Sequence, residues 1–229
     1  MNWILLLVVA IVGIGGYAGL KKGLVKMVFS VASTIAALLV AMLFSPAVAG
    51  LMKNNETIVS FFDEKISAVV DFTSEEAYEE TEGKQQSLIA SLPFPETFKE
   101  MILENNTVEN YAAMQAENFE AYVCRQITNV IINAIAFVIT LLLAVVVLAI
   151  LCSALNLLAK LPLLKQVNAT AGLAAGVLEG LLIIWIMFVI LTMFAGSDFG
   201  SKALAMISDN PLLDFLYKNN VVSKFISRG

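Results

Sequence analysis

The sequence contains no histidine, and that absence removes a large part of the catalytic repertoire. A Ser-His-Asp or Cys-His device and a histidine-based metal site are excluded. Cysteine is nearly missing as well: Cys124 lies just before an apolar run and Cys152 inside it. Two sulfurs so placed make no disulfide framework, and a buried cysteine usually acts as a small hydrophobe. Charge is scarce. Only 14% of the 229 residues are charged, against roughly 25% in an ordinary soluble domain. Residues 1–20, 27–52, 126–159 and 166–197 hold a single charge among them, Glu179. About 20 apolar residues suffice to span a bilayer core, and a water-soluble globule cannot cover uncharged runs this long. These absences exclude a disordered chain, a disulfide scaffold and a nucleic-acid binder. No nucleophile–base pair or metal-ligand cluster is present either. No enzymatic activity, catalytic residue, cofactor, metal or small-molecule substrate is therefore expected.

What is present points to an all-α integral membrane protein with four transmembrane helices, at about 3–20, 27–52, 126–158 and 172–195. They divide the chain into a membrane hairpin (1–52), an acidic helical segment (53–125), a second hairpin (126–197) and an amphipathic tail (198–229). The first span is followed, not preceded, by basic residues, the reverse of a cleavable signal peptide. Two short connectors are purely basic: Lys21, Lys22 and Lys26 in one, Lys160 and Lys165 in the other. Residues 53–125 carry a net charge of −10. The positive-inside rule then places both basic connectors in the cytoplasm, and the acidic segment and both termini outside. The same lysines read as topology signals and as contacts to anionic lipid.

Within the acidic segment, Ile58, Phe61, Phe62, Ile66, Val69 and Val70 recur at helical spacing, as do Phe98, Met101 and Ile102 after Pro93–Phe94–Pro95. Thr73–Gln86 is acidic and poor in large aliphatics, so it reads as solvated. From Thr107 the pattern Val108, Tyr111, Phe119, Tyr122 runs toward the third span without Pro or Gly, and predicts one long helix protruding from the membrane. In the tail, Leu212, Leu213, Phe215 and Leu216, then Val221, Val222, Phe225 and Ile226, predict short amphipathic pieces of the kind that lie on a membrane surface.

Inside lipid, helices associate through close packing and interhelical hydrogen bonds. Span four offers a ridge of Gly172, Gly176 and Gly180, and span one is glycine-rich at Gly13, Gly15, Gly16 and Gly19. Small and polar residues line span two (Ser30, Thr34, Ala37, Ala41, Ser45) and span three (Asn129, Asn133, Ala136, Thr140, Ala144). Packing accounts for each stripe. Glu179 is the sharpest residue, because a charge at mid-membrane costs at least ~2.5–3.5 kcal/mol. Two roles compete: a proton- or ion-sensitive group in a bundle or oligomer, and a hydrogen-bonded acid that fixes helix register. Glu179 and Thr34 each lie ~10 Å beyond Gly172 and Met27 along their helices, so Thr34 is the expected partner.

Several segments resemble the colicin V production protein (CvpA) family of bacterial inner-membrane proteins. They are Met1–Asn2–Trp3 before an apolar helix, the run from Gly19 to Val25 (GLKKGLV), Ser45–Pro46, and the run from Gly172 to Ile183 (GLAAGVLEGLLI). Two departures stand out: the family often has a basic residue where this chain has Glu179, and residues 53–125 are longer than the loop of compact members. The resemblance implies a multi-span inner-membrane protein linked to toxin production or export and to envelope maintenance. On that basis the chain is expected to be a non-enzymatic scaffold or accessory factor. Its partners would be membrane lipids and other membrane proteins, or further copies held through glycine-rich helix faces. The competing function is a small oligomeric channel or transporter subunit with Glu179 in its helix interface.

Overall fold

The computed structural model describes residues 2–67, 82–92, 94, 96–154, 168–195 and 197–228, and the regular elements among them are all helices. Helix α1 (Trp3–Lys22) begins where the Asn2 side chain accepts hydrogen bonds from the Ile4 and Leu5 N–H groups, donors that a helix start otherwise leaves unpaired. It ends at Gly23, whose φ of 78° suits glycine. That one residue is the whole link to α2 (Leu24–Lys53). Among the described residues four shorter helices follow: α3 (Glu56–Ser67), α4 (Glu82–Ser91), α5 (Glu96–Glu104) and α6 (Val108–Met114). Next come α7 (Phe119–Ala154) and α8 (Asn168–Met193), then α9 (Asp198–Ser208), α10 (Pro211–Lys218) and α11 (Val221–Arg228).

Helices α1, α2, α7 and α8 are long and apolar enough to cross a membrane. They correspond to the four expected spans. At 1.5 Å per residue α7 is about 54 Å long, well beyond a hydrocarbon core of about 30 Å. The long helix is shorter than the uninterrupted pattern from Thr107 predicts. Gln115 takes a left-handed conformation at φ 54° and ends α6, a task more often given to Gly or Asn. Asn118 then accepts from the Ala121 N–H at 2.8 Å as α7 begins. Val69, Val70, residues 73–81 of the acidic stretch, Pro93, Pro95, Lys160 and Lys165 lie outside the described residues, as does the side chain of Cys152.

Neighbours in sequence are not the main neighbours in space. Helix α1 packs chiefly on α8 and only lightly on α2, while α2 packs along α7 and against α8. Helix α8 therefore touches the other three membrane-length helices. The α1–α8 contact is made by backbone. A Cβ added to Gly19 would strike the Gly172 carbonyl and one on Gly172 the Gly19 carbonyl; Gly15 and Gly176 are related in the same way. Gly180 is looser, with the Ile11 carbonyl 3.3 Å from where its Cβ would be. Four glycines thus let two helices meet with no side chain between them. Gly13 has only open space around it.

The short helices of the tail pack against the membrane-length helices. Helix α9 crosses the end of α8 so closely that a Cβ on Gly200 would collide with the Phe194 backbone. Helix α11 packs against α7 and α8, and α10 against α9 and α8. Leu213, Tyr217, Val222 and Ile226 are buried by this packing. Leu212 and Phe215 of α10 stay exposed on its other side.

Gly176→Ile should lower the stability of the detergent-extracted protein by ~3 kcal/mol or more, since it overpacks a contact with no slack. Gly13→Ala should be neutral or slightly stabilising. Thermal unfolding of the two variants checks both, and equal midpoints would mean that α1 and α8 do not meet here.

Candidate functional site

The site grows out of the α1–α8 ridge. One residue before Gly180, Glu179 leaves the same helix half-buried, and its Oε1 accepts a hydrogen bond of 2.5 Å from the Ser30 hydroxyl of α2. Thr34, the expected partner, is one turn further along. The difference comes from side-chain direction. Both helices run away from the end that carries Lys21 and Lys22, and helical side chains lean back toward the N-terminus. The long glutamate leans back further than the short hydroxyl side chains do, so it meets the residue one turn nearer the basic end. Matching Cα depths alone misses this lean. Chemically the pair can lock α2 against α8. Among the described residues no group of three or more His, Cys, Asp or Glu could hold a metal.

The two small-residue stripes are turned inward. Ala37, Ala41 and Ser45 of α2 are buried, as are Asn133, Ala136, Thr140 and Ala144 of α7. The Thr140 hydroxyl donates to its own helix, to the Ala136 carbonyl at 2.7 Å, a common use of threonine in membrane helices. Asn133 reaches out of its helix: its side-chain amide donates to the Ile226 carbonyl of α11 at 2.9 Å. Asn129 is half-buried and lines an open groove of about 700 Å³ with Lys53, Glu56, Asp63 and Arg125. Lys21, Lys22 and Lys26 are exposed at the opposite, basic end, and the Lys21 ammonium sits 4.8 Å from the centre of the Tyr17 ring.

Sequence reasoning missed the polar fastenings at the acidic end. Asp63 of α3 takes an ion pair from Arg125 at 3.2 Å and a hydrogen bond from the Thr128 hydroxyl at 2.6 Å, which ties α3 to α7. The Tyr122 hydroxyl donates to the Ile102 carbonyl at 2.8 Å while its ring stacks on Tyr111 at 4.8 Å. The tail is held by Asn2, which donates to the Met206 carbonyl at 2.6 Å, and by Asn220, which donates to the Trp185 carbonyl at 3.0 Å. Burial pushes the Tyr217 phenol above its ordinary range, with a hydrogen bond to Thr192 working the other way. The available signal was an asparagine beside a helix start, as at Asn2 and Asn220.

The family model for the colicin V production protein matches residues 5–74 and 108–219. The chain belongs to that family. Together the matched stretches take in nearly all of α1 and the whole of α2, α7, α8, α9 and α10. The unmatched residues 75–107 fall between α3 and α6. Neither a curated protein nor a solved structure matches. In this family member the ridge glycines, Glu179 and Ser30 all lie in matched positions, whereas α4 and α5 do not.

Ser30→Ala should cost about 1–3 kcal/mol of stability by leaving a half-buried acid without its donor, and Thr34→Ala should cost far less. Glu179→Gln keeps an acceptor oxygen for Ser30 and should be tolerated, whereas Glu179→Lys removes it and forces a cation into the interface. Thermal unfolding in detergent reads all four. A Thr34→Ala loss exceeding that of Ser30→Ala would reverse the assigned pairing.

Proposed function

We propose that this protein is a non-enzymatic scaffold or accessory factor of the bacterial inner membrane, serving the production or export of a colicin V-type toxin and envelope homeostasis. The observation that carries this reading is the engagement of Glu179, the one acid in the uncharged runs, by Ser30 beside a glycine ridge. A carboxyl used to fasten α2 to α8 suits a bundle whose task is to hold a shape. Family membership supports the link to toxin production. The partners in this reading are membrane lipids and other membrane proteins. Because α1 occupies the ridge of α8 within one chain, such partners would meet other helix faces.

The orientation belongs to the same proposal. Gly172, near the start of α8, packs on Gly19 and Gly23, so the start of α8 lies at the end that carries Lys21, Lys22 and Lys26. Helices α3 to α6 lie at the other end. With the basic end in the cytoplasm, both termini and residues 53–125 are extracytoplasmic. A thiol placed at Glu109, in a background freed of Cys124 and Cys152, should react with a membrane-impermeant reagent in cells with a permeabilised outer membrane. One placed at Lys22 should stay unlabelled. The reverse pattern would invert the topology.

The channel or transporter reading draws on one observation, the half-burial of Glu179 at a helix interface. Purified protein in proteoliposomes should pass neither protons nor small ions above the empty-vesicle rate. A flux abolished by Glu179→Gln in a normally folded variant would replace the scaffold with a conduit.

A further inference from the structure

Helix α10 carries apolar residues on two sides. One side, with Leu213 and Tyr217, is buried within the protein. The other is open: Leu212 is 51% and Phe215 61% exposed. A helix that is apolar on both sides needs two apolar surroundings, and protein supplies only one. Helix α9 shows the same feature. Its Phe199 is exposed, stacks on Trp3 with ring centres 5.8 Å apart, and meets Phe194 edge-on at 6.3 Å. Trp3 opens α1, and Phe194 follows the last residue of α8. The aromatic cluster therefore continues the apolar outer surface of two membrane-length helices onto the tail.

Charges border it. Asp198 and Lys202 are exposed on α9, and Asp214 and Lys218 form an ion pair of 2.9 Å on α10. Aromatic rings gather where acyl chains meet headgroups, and short helices bury an apolar face there when charges flank it. We propose that α9 and α10 form a phospholipid-binding foot in the leaflet at the acidic end. Phe199, Leu212 and Phe215 enter the acyl boundary, and the exposed Asp198 and Lys202 meet the ammonium and phosphate of zwitterionic headgroups. Phospholipid fits better than a second copy of the chain, because Phe199 joins Trp3 of α1 and Phe194 at the end of α8 in one cluster on the outer surface of those helices. The lipid-facing side is the one opposite Leu213 and Tyr217.

Fluorescence of the full chain in phosphatidylethanolamine–phosphatidylcholine vesicles tests this. Trp3 and Trp185 are first changed to phenylalanine; the Trp185 indole N–H is buried without a partner, so phenylalanine sacrifices no hydrogen bond there. Phe215→Trp then places a single reporter on the open face, and Phe199→Trp a second one in a parallel variant. Lipids brominated near the glycerol end of the acyl chain should quench either reporter about twofold or more, and aqueous iodide should do little. Quenching by iodide and not by bromine would show a wet face and overturn the proposal. Protection from both quenchers would show protein on that face, and would overturn it in favour of a second copy or another partner.

Discussion

Two helices of this protein approach until carbonyl meets Cα, and the rest of the bundle is arranged around that contact. In lipid, apolar side chains gain little by leaving one hydrocarbon surface for another, so association depends on how closely backbones can come. Gly15, Gly19, Gly172 and Gly176 remove every atom that would keep α1 and α8 apart. With α8 fixed there, the adjoining Glu179 is presented to α2, and Ser30 meets it. Helix α2 in turn carries α7 along its small-residue face. A chain of three contacts, each made possible by the one before, holds four helices that share few polar groups.

The acidic end is built on a different physical basis. Besides the Asp63 contacts to Arg125 and Thr128, side-chain amides and hydroxyls there reach backbone carbonyls, as at Asn2, Tyr122, Asn133 and Asn220. Asn2, Tyr122 and Asn133 reach from the long helices to the cap or tail, and Asn220 reaches from the tail to α8. A carbonyl has a second lone pair to offer, so these bonds cost the recipient helix none of its own. The basic end relies on missing atoms, and the acidic end on added ones.

How much of this is legible in the sequence depends on the kind of information required. The four spans are, because scarcity of charge over twenty or more residues is a one-dimensional signal. The glycine ridge is legible as a spacing, but its partner is not: nothing in a linear pattern says that α1 prefers α8 to the helix one residue away. The Glu179 contact is legible only to within a turn, since Ser30 and Thr34 share a face and the lean of a long side chain decides between them. Gln115 is illegible, as it adopts by tertiary demand a conformation that its type rarely takes. For α10 and α11, the periodicity identifies an apolar face correctly but cannot say whether lipid or protein will cover it.

The pairing of α1 with α8 has a consequence for synthesis. Helix α1 leaves the ribosome well before α8, with about 150 residues between them. At about 5–20 residues per second the wait is on the order of 7–30 s. Throughout that time the bare backbone of Gly15 and Gly19 faces acyl chains, held beside α2 by Gly23 alone. The nascent protein thus passes through a stage with its tightest seam unmade, and closure awaits α8, which also brings Glu179 to Ser30. Any membrane factor that recognises a small-residue groove has its opportunity then, before α8 arrives to fill it.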